Sequence, residues 1–395
     1  MSRVRPFTWF LIFVFSLAAV LAVQLRRQEP QLMHVSGPPA IEEPHGQMAM
    51  AYGLARDGTV RIEARCVDVP GMPTVGVGSG FFVSEDGLLL TAYHVVDGAR
   101  LSNCEVDLLA ITTTEEEYDV ELVGFDAYLD VAALQVDVDR AVPFVPLASR
   151  APAPGDSVVA IGNSRGDFIA GRAGRVTRLG VEAGRADFAS GTIELTASLA
   201  PGDSGGPVIN ERGEAVGVVS YISFNPGAMS SQSWIPPYLR GVSLPSNYAS
   251  YAVPVIAESD VVRSVFAGQQ RDVPVIGFSW QPGNDYDPKT SPYYLGRLPG
   301  PIVNEVAAGG PAAHAGLRSL RSQRVTRADG SVVLVPDADV IVAIDGERTP
   351  RFYELLAVVR EKHIGETITL TVQRGNATFD IDLTLGAKRD VFVGN

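Results

Sequence analysis

The sequence is poor in cysteine and in charge, and it contains no dense run of basic residues. Two cysteines, Cys66 and Cys104, occur in 395 residues. That is too few for a disulfide-stapled scaffold, and no Cys/His cluster has the spacing of a metal site. In an exported chain the two could pair, if neighbouring strands bring them together, or remain two inert buried thiols. Lysine and arginine total 32 against 45 acidic residues, a formal net charge of −13. This argues against nucleic acid as a principal partner. Charged residues make up 19% of the chain and hydrophobic ones 46%, with 40 glycines and 27 prolines. Such a composition belongs to a β-rich globular chain with many turns, and the length leaves room for two or three domains.

One long apolar run is present. Phe7 to Leu25 is interrupted only by Thr8, Ser16 and Gln24, with Arg3 and Arg5 before it and Arg26-Arg27 after it. As a helix it would rise about 28 Å, close to the hydrocarbon thickness of a bilayer. Val20-Leu21-Ala22 could serve as a signal-peptide cleavage site, but the run is longer than a usual signal core. The favoured reading is an uncleaved single-pass anchor over residues 1–26, with the remainder outside the cytoplasm at the inner (cytoplasmic) membrane. Residues 27–56 then read as a linker. They carry Pro30, Pro38, Pro39 and Pro44, and His34 and His45 read as solvent-exposed.

From Thr59 onward, short β runs alternate with turn residues. A first set covers Val60–Ala64, Gly78–Val83, Leu88–Thr91, Cys104–Leu109, Asp119–Val123 and Val131–Val136. A second follows the Pro/Gly-rich stretch Ala151–Gly155, at Ser157–Ile161, Gly174–Thr177, Thr192–Thr196, Pro207–Ile209, Ala215–Ser220 and Tyr251–Val255. Two sets of six at this spacing suggest two small Greek-key barrels. Residues 221–249, including Trp234, interrupt the second set with little periodicity and suggest either a loop bordering a substrate pocket or a passive insertion.

Within the second set stands Pro201-Gly202-Asp203-Ser204-Gly205-Gly206-Pro207. A serine hydroxyl is a weak nucleophile unless a base lies within hydrogen-bond reach, and glycines allow a turn tight enough for N–H groups to converge on an oxyanion. Alone, the motif fits a Gly-rich surface turn as well. Two earlier stretches change that balance: Leu90-Thr91-Ala92-Tyr93-His94-Val95-Val96-Asp97, and Tyr128-Leu129-Asp130-Val131-Ala132-Ala133-Leu134. His94, Asp130 and Ser204 follow the order His…Asp…Ser. The three contexts together resemble the trypsin-like serine peptidases, and TAYHVVDGA with LDVAAL is similar to their HtrA/Deg branch.

The last part of the chain resembles an HtrA-type PDZ domain. The resemblance rests on Val275-Ile276-Gly277-Phe278, Gly300 to Val306, Gly310 to Leu317, Asp339 to Gly346 and Glu366 to Val372. Thr349-Pro350 fits a helix start, and Phe352, Leu355, Leu356 and Val359 then form one apolar stripe. Residues 318–336 read as an inserted hairpin. His314 and His363 read as structural.

The resemblance covers roughly residues 57–388. It implies a mainly β chain: a chymotrypsin-like double barrel over 57–266, then a PDZ domain over 270–388, behind an N-terminal transmembrane helix. It implies a serine endopeptidase with His94 as base, Asp130 orienting it and Ser204 as nucleophile, and an oxyanion hole from the N–H groups of Gly202, Asp203 and Ser204. Ser198 would floor the substrate pocket and Gly217, Val218 and Ser220 would wall it, favouring small or medium apolar P1 residues. Asp203 stands where this branch more often has asparagine. The PDZ groove, expected at Ile276, Gly277, Phe278 and Leu355, would bind C-terminal peptides, and a loop carrying Arg185 would transmit that signal. No metal or organic cofactor is implied. Partners would be unfolded or regulatory envelope proteins, the membrane and, by analogy, two further copies in a homotrimer, with Tyr52 near a contact. The rival reading is a membrane-anchored PDZ scaffold or chaperone with an inert protease fold.

Overall fold

The first barrel is built from β1 (Thr59–Cys66), β2 (Thr74–Phe82), β3 (Leu88–Thr91), β4 (Val106–Ile111), β5 (Glu117–Asp126) and β6 (Val131–Val136). In this computed structural model, which describes residues 42–100, 104–164, 168–181, 191–224, 248–280, 284–326 and 331–392, the hydrogen-bonded order is β5-β4-β1-β2-β3-β6. Pairing of β6 back to β5 closes the ring. The second barrel closes as β10-β11-β12-β9-β8-β7, from β7 (Ser157–Gly162), β8 (Ala170–Val181), β9 (Thr192–Leu195), β10 (Pro207–Ile209), β11 (Ala215–Phe224) and β12 (Tyr248–Pro254).

Strand alternation explains how both barrels share one apolar seam. Side chains at successive strand positions point to opposite faces. Leu89, Ala132 and Leu134 therefore fill the first barrel, while Leu90, Val131 and Ala133 point out of it. On β7, Val158 and Ala160 fill the second barrel, while Val159 and Ile161 meet that same seam. The double-sided burial is why these strands read as nearly continuous apolar runs.

Residues 47–56 fall within the stretch expected to be linker, yet they form helix α1 (Gln47–Arg56). Ala51 and Ala55, one turn apart, are buried in the seam. The Tyr52 hydroxyl donates to the Ile169 carbonyl at 2.8 Å. The sequence signal was there, but two alanines make a faint apolar stripe.

A disulfide joins Cys66 to Cys104 across 38 residues, so the alternative left open by the sequence resolves to a bond. Helix α2 (Tyr93–Arg100) follows β3, and α3 (Asp260–Phe266) comes after the second barrel but packs on β5 and β6 of the first, with the Ser259 hydroxyl accepting from the Val262 N–H. β13 (Gln270–Arg271) then returns to add a parallel strand to β5 of the first barrel.

The carboxy-terminal part opens with β14 (Pro274–Val275), β15 (Phe278–Ser279), β16 (Asp285–Tyr286), β17 (Gly300–Pro301) and β18 (Glu305–Val306), then the short helix α4 (Pro311–His314). The expected hairpin appears as β19 (Arg321–Thr326) and β20 (Val332–Asp337). A four-stranded sheet follows, ordered β22-β21-β23-β24, from β21 (Asp339–Ile344), β22 (Glu347–Arg348), β23 (Thr367–Arg374) and β24 (Ala377–Thr384). Helix α5 (Phe352–Arg360) packs Leu355 and Val359 against this sheet. β25 (Gly386–Ala387) pairs with β14, and α6 (Lys388–Val391) ends the described chain.

Helix α5 starts later than expected. Arg351, not Thr349, is the N-cap residue; its N–H donates to Glu354 at 3.1 Å, and the Phe352 N–H donates to Asp285 at 3.0 Å. Thr349 is buried instead. Among the described residues no helix is long and apolar enough to cross a membrane. The expected anchor, residues 27–41 of the expected linker, the loop carrying Arg185 and residues 225–247 with Trp234 lie outside the described residues.

Candidate active site

The Ser204 turn is held by backbone contacts that tolerate no side chains. The Ser79 N–H donates to the Ser204 carbonyl at 2.7 Å, and the Ser79 hydroxyl donates to the Gly202 carbonyl at 2.7 Å. Gly205 has φ +89°, and a Cβ there would stand 2.0 Å from the Ser79 carbonyl oxygen. Only glycine fits such a position. Below the turn, the buried Asp203 carboxylate accepts from the Ser164 hydroxyl at 2.7 Å and the Ala200 N–H at 2.9 Å. The Asp203 N–H donates to the Ala200 carbonyl at 3.1 Å. It is engaged inside the turn, which removes Asp203 from the expected set of oxyanion donors and leaves Gly202 and Ser204.

His94 and Asp130 meet because β3 pairs with β6 in register Thr91↔Ala132. The chain leaves β3 into α2 next to the residue that precedes β6. Asp130 is 1% exposed and has φ +56°, a left-handed conformation that Asp adopts more readily than most residues. One carboxylate oxygen accepts the His94 backbone N–H at 2.8 Å, and the other lies 2.8 Å from His94 Nδ1. Because that partner is a buried carboxylate, Nδ1 carries the proton and Nε2 is left as an acceptor.

Ser220 connects the two halves of the site. Its hydroxyl donates to Asp130 Oδ2 at 2.5 Å, and its carbonyl accepts from the Ser204 hydroxyl at 3.2 Å. Sequence reasoning read Ser220 as a pocket wall. Its bridging role depends on where β11 passes β6, and no local pattern reveals that.

Two other expected wall residues are not at a cleft. The position of Gly217 faces Ile193 and Ala252 inside the second barrel, and Val218 is buried in the seam. Ser198 is buried, 4% exposed. Nearby on β9 and β12, Glu194 and Tyr251 are directly opposed. Arg178 binds the Glu194 carboxylate with two N–H groups, and Thr177 and Tyr251 donate to it at 2.7 and 3.2 Å. Those Arg178 hydrogen bonds hold the Glu194 carboxyl below its ordinary range, against the opposing effect of burial. Burial, and then the Glu194 charge, push the Tyr251 phenol up to about 12.

In the carboxy-terminal part, Ile276, Phe278 and Leu355 are core side chains rather than groove walls. Phe278 opens the two-residue strand β15, Ile276 lies in the turn before it, and Leu355 sits on the inner face of α5. Gly277, at φ +88°, shapes the turn, and its carbonyl accepts the Ala307 N–H at 3.0 Å. The side chains that meet between the segment after β15 and α5 are Trp280 and Phe352. Their rings stack at 4.5 Å with an interplanar angle of 3°. The Trp280 Nε1–H donates to Asp285 at 3.2 Å. Burial raises the Asp285 carboxyl. The sequence reading missed Trp280 and Asp285, which lie in a stretch without periodicity.

Two closed six-stranded barrels that set His94 on Asp130 and link Asp130 to Ser204 through Ser220, followed by a peptide-binding-type domain, define a chymotrypsin-like serine endopeptidase with an appended PDZ domain. Comparison with known proteins agrees. A trypsin-like peptidase domain family matches residues 78–218 and a PDZ domain family residues 274–385. Protease Do-like 1, chloroplastic, of Arabidopsis thaliana is 30% identical over 338 residues, covering 84% of this chain and 68% of that protein. The putative serine protease HhoA of Synechocystis is 27% identical over 320 residues, covering 80% and 72%. Serine endoprotease DegS of Escherichia coli is 26% identical over 315 residues, covering 78% and 76%. The chain belongs to the Do-like (HtrA/Deg) family of serine proteases.

Proposed function

We propose that this chain is a membrane-tethered endopeptidase that cleaves unfolded or regulatory envelope proteins through His94, Asp130 and Ser204. The observation that carries this reading is the shared anchorage of the site: the His94 backbone N–H and Nδ1 both rest on Asp130, which Ser220 ties to Ser204.

Ser204 Oγ attacks the scissile carbonyl and its proton passes to His94 Nε2. Asp130 keeps Nδ1 protonated and stabilises the imidazolium without taking the proton. The oxyanion is met by the Gly202 and Ser204 N–H groups; one such donor is commonly worth on the order of 10²–10³ in turnover. His94 then protonates the leaving amine, and water repeats the sequence to release the acid. A buried neutral Ser198 as pocket floor favours small or medium apolar P1 residues. A peptide library cleaved mainly after Lys or Arg would overturn that preference.

The PDZ domain would bind C-terminal peptides at the Gly277 turn and regulate cleavage. The tether, a location outside the cytoplasm and a homotrimer complete the proposal. They are supported by the apolar run Phe7–Leu25 and by family membership. Hydrolysis of unfolded casein by the full chain and by Ser204→Ala, with and without hydrophobic C-terminal peptides, tests it. Cleavage should vanish in Ser204→Ala and rise with peptide. Peptide binding without cleavage under any condition would favour a scaffold instead.

A further inference from the structure

The His94 helix is not held by its own barrel alone. Asp97 is one turn beyond His94 on α2 and is 3% exposed. Its carboxylate meets Lys388 Nζ at 3.0 Å, across 291 residues of chain, from helix α6 at the far end of the PDZ domain. The next residue, Arg389, places its guanidinium 5.0 Å from the Phe125 ring centroid. Phe125 in turn stacks on Tyr93 at 4.3 Å with an interplanar angle of 10°. Tyr93 directly precedes His94, so two adjacent basic residues reach the two ends of one short helical stretch, before and after the imidazole.

Helix α6 is fixed to the PDZ domain on its other side. Val391 is buried, and its Cγ1 methyl lies 3.0 and 2.9 Å from where a Cβ on Gly277 or Gly310 would stand. The Lys388 N–H donates to the Val273 carbonyl at 3.0 Å, and the Arg389 N–H donates to Asp272 at 2.9 Å. The connecting strand braces Asp130 in the same way. Arg271 pairs with Asp126 at 3.2 Å and lies 4.2 Å from the Tyr128 ring centroid. The other Asp126 oxygen accepts the Tyr128 and Leu129 N–H groups at 2.9 Å, shaping the turn that delivers Asp130.

We infer that Lys388 and Arg389 are positioning residues for His94, setting the α2 helix so that the imidazole keeps its bond to Asp130. A buried carboxylate needs a fixed cationic partner, and losing that partner frees the helix to shift toward water. Small displacements of a general base are costly in rate because proton transfer needs near-ideal geometry. This inference rests on the proposed roles of His94 and Asp130, and its test has one readout that does not depend on turnover.

The test uses the full-length chain, labelled with ¹⁵N-histidine, as the Ser204→Ala form for spectroscopy and with Ser204 intact for kinetics. The five histidines give few side-chain signals, and His94→Gln identifies the downfield His94 Nδ1–H. Lys388→Met should shift or broaden that resonance and lower kcat on casein roughly tenfold with KM unchanged. Lys388→Arg should keep both near the parent, and Arg389→Met should reproduce the Lys388→Met behaviour more weakly. A His94 signal unmoved in Lys388→Met overturns the inference, whether or not the rate falls. A moved signal in a parent chain that cleaves nothing would uphold it and sink the peptidase assignment of this site.

Discussion

Replacing Asp130 with asparagine isolates the role of its charge, because asparagine tolerates the φ of +56° at this position and preserves volume. The carboxylate accepts three donors: the His94 backbone N–H, His94 Nδ1–H and the Ser220 hydroxyl. An amide has one oxygen. If that oxygen faces Nδ1, the NH₂ meets the His94 backbone N–H, leaving buried donors opposed at about 1–3 kcal/mol. The amide therefore turns the other way, and its NH₂ forces Nδ1 to accept. The ring proton moves to Nε2, which can no longer take the Ser204 proton. We expect kcat to fall by about 10⁴, some 5 kcal/mol of transition-state stabilisation, with KM little changed. Steady-state cleavage of a fluorogenic peptide, with thermal unfolding as a folding control, measures it. A kcat within tenfold of the parent in a folded Asp130→Asn chain would refute the tautomer argument.

Ser220→Ala removes one hydrogen bond to a buried carboxylate and should lower kcat by roughly tenfold to a hundredfold while peptide binding persists. Gly205→Ala would drive a methyl into the Ser79 carbonyl and should abolish cleavage and lower Tm. Reducing the Cys66–Cys104 bond releases a 38-residue constraint and should cost about 4 kcal/mol, read from denaturant midpoints with and without dithiothreitol. Glu194 is held below its ordinary value by Arg178, so its contribution is present above about pH 4.3 and lost as pH falls through the lower folded-state value. Glu194→Gln should therefore be less stable than the parent at pH 7, with the Tm gap narrowing toward pH 3; a gap constant with pH would contradict this.

The parts legible in the sequence were those written locally. Strand runs, the glycines around Ser204 and the stripe Leu355–Val359 each follow from neighbours a few residues apart, and the two barrels follow from counting such runs. The triad was legible because each member sits in its own short context. What escaped depends on register between distant segments. Ser220 acts on Asp130 only because β11 passes β6, and Trp280 stacks on Phe352 from 72 residues away. Asp97 finds its cation 291 residues away. Gly217 and Val218 were misplaced for a simpler reason: period-two alternation on β11 turns the position of Gly217 into the second barrel and sends Val218 to the opposite face, into the seam.

The most direct test of the central claim is the site of modification by a fluorophosphonate, which traps an activated serine. Mass spectrometry of the full-length chain, treated under conditions in which it cleaves casein, should find a single adduct on Ser204, absent in Ser204→Ala and in His94→Ala. An adduct on another serine, or an unmodified Ser204 in a chain that still cleaves, would contradict the account.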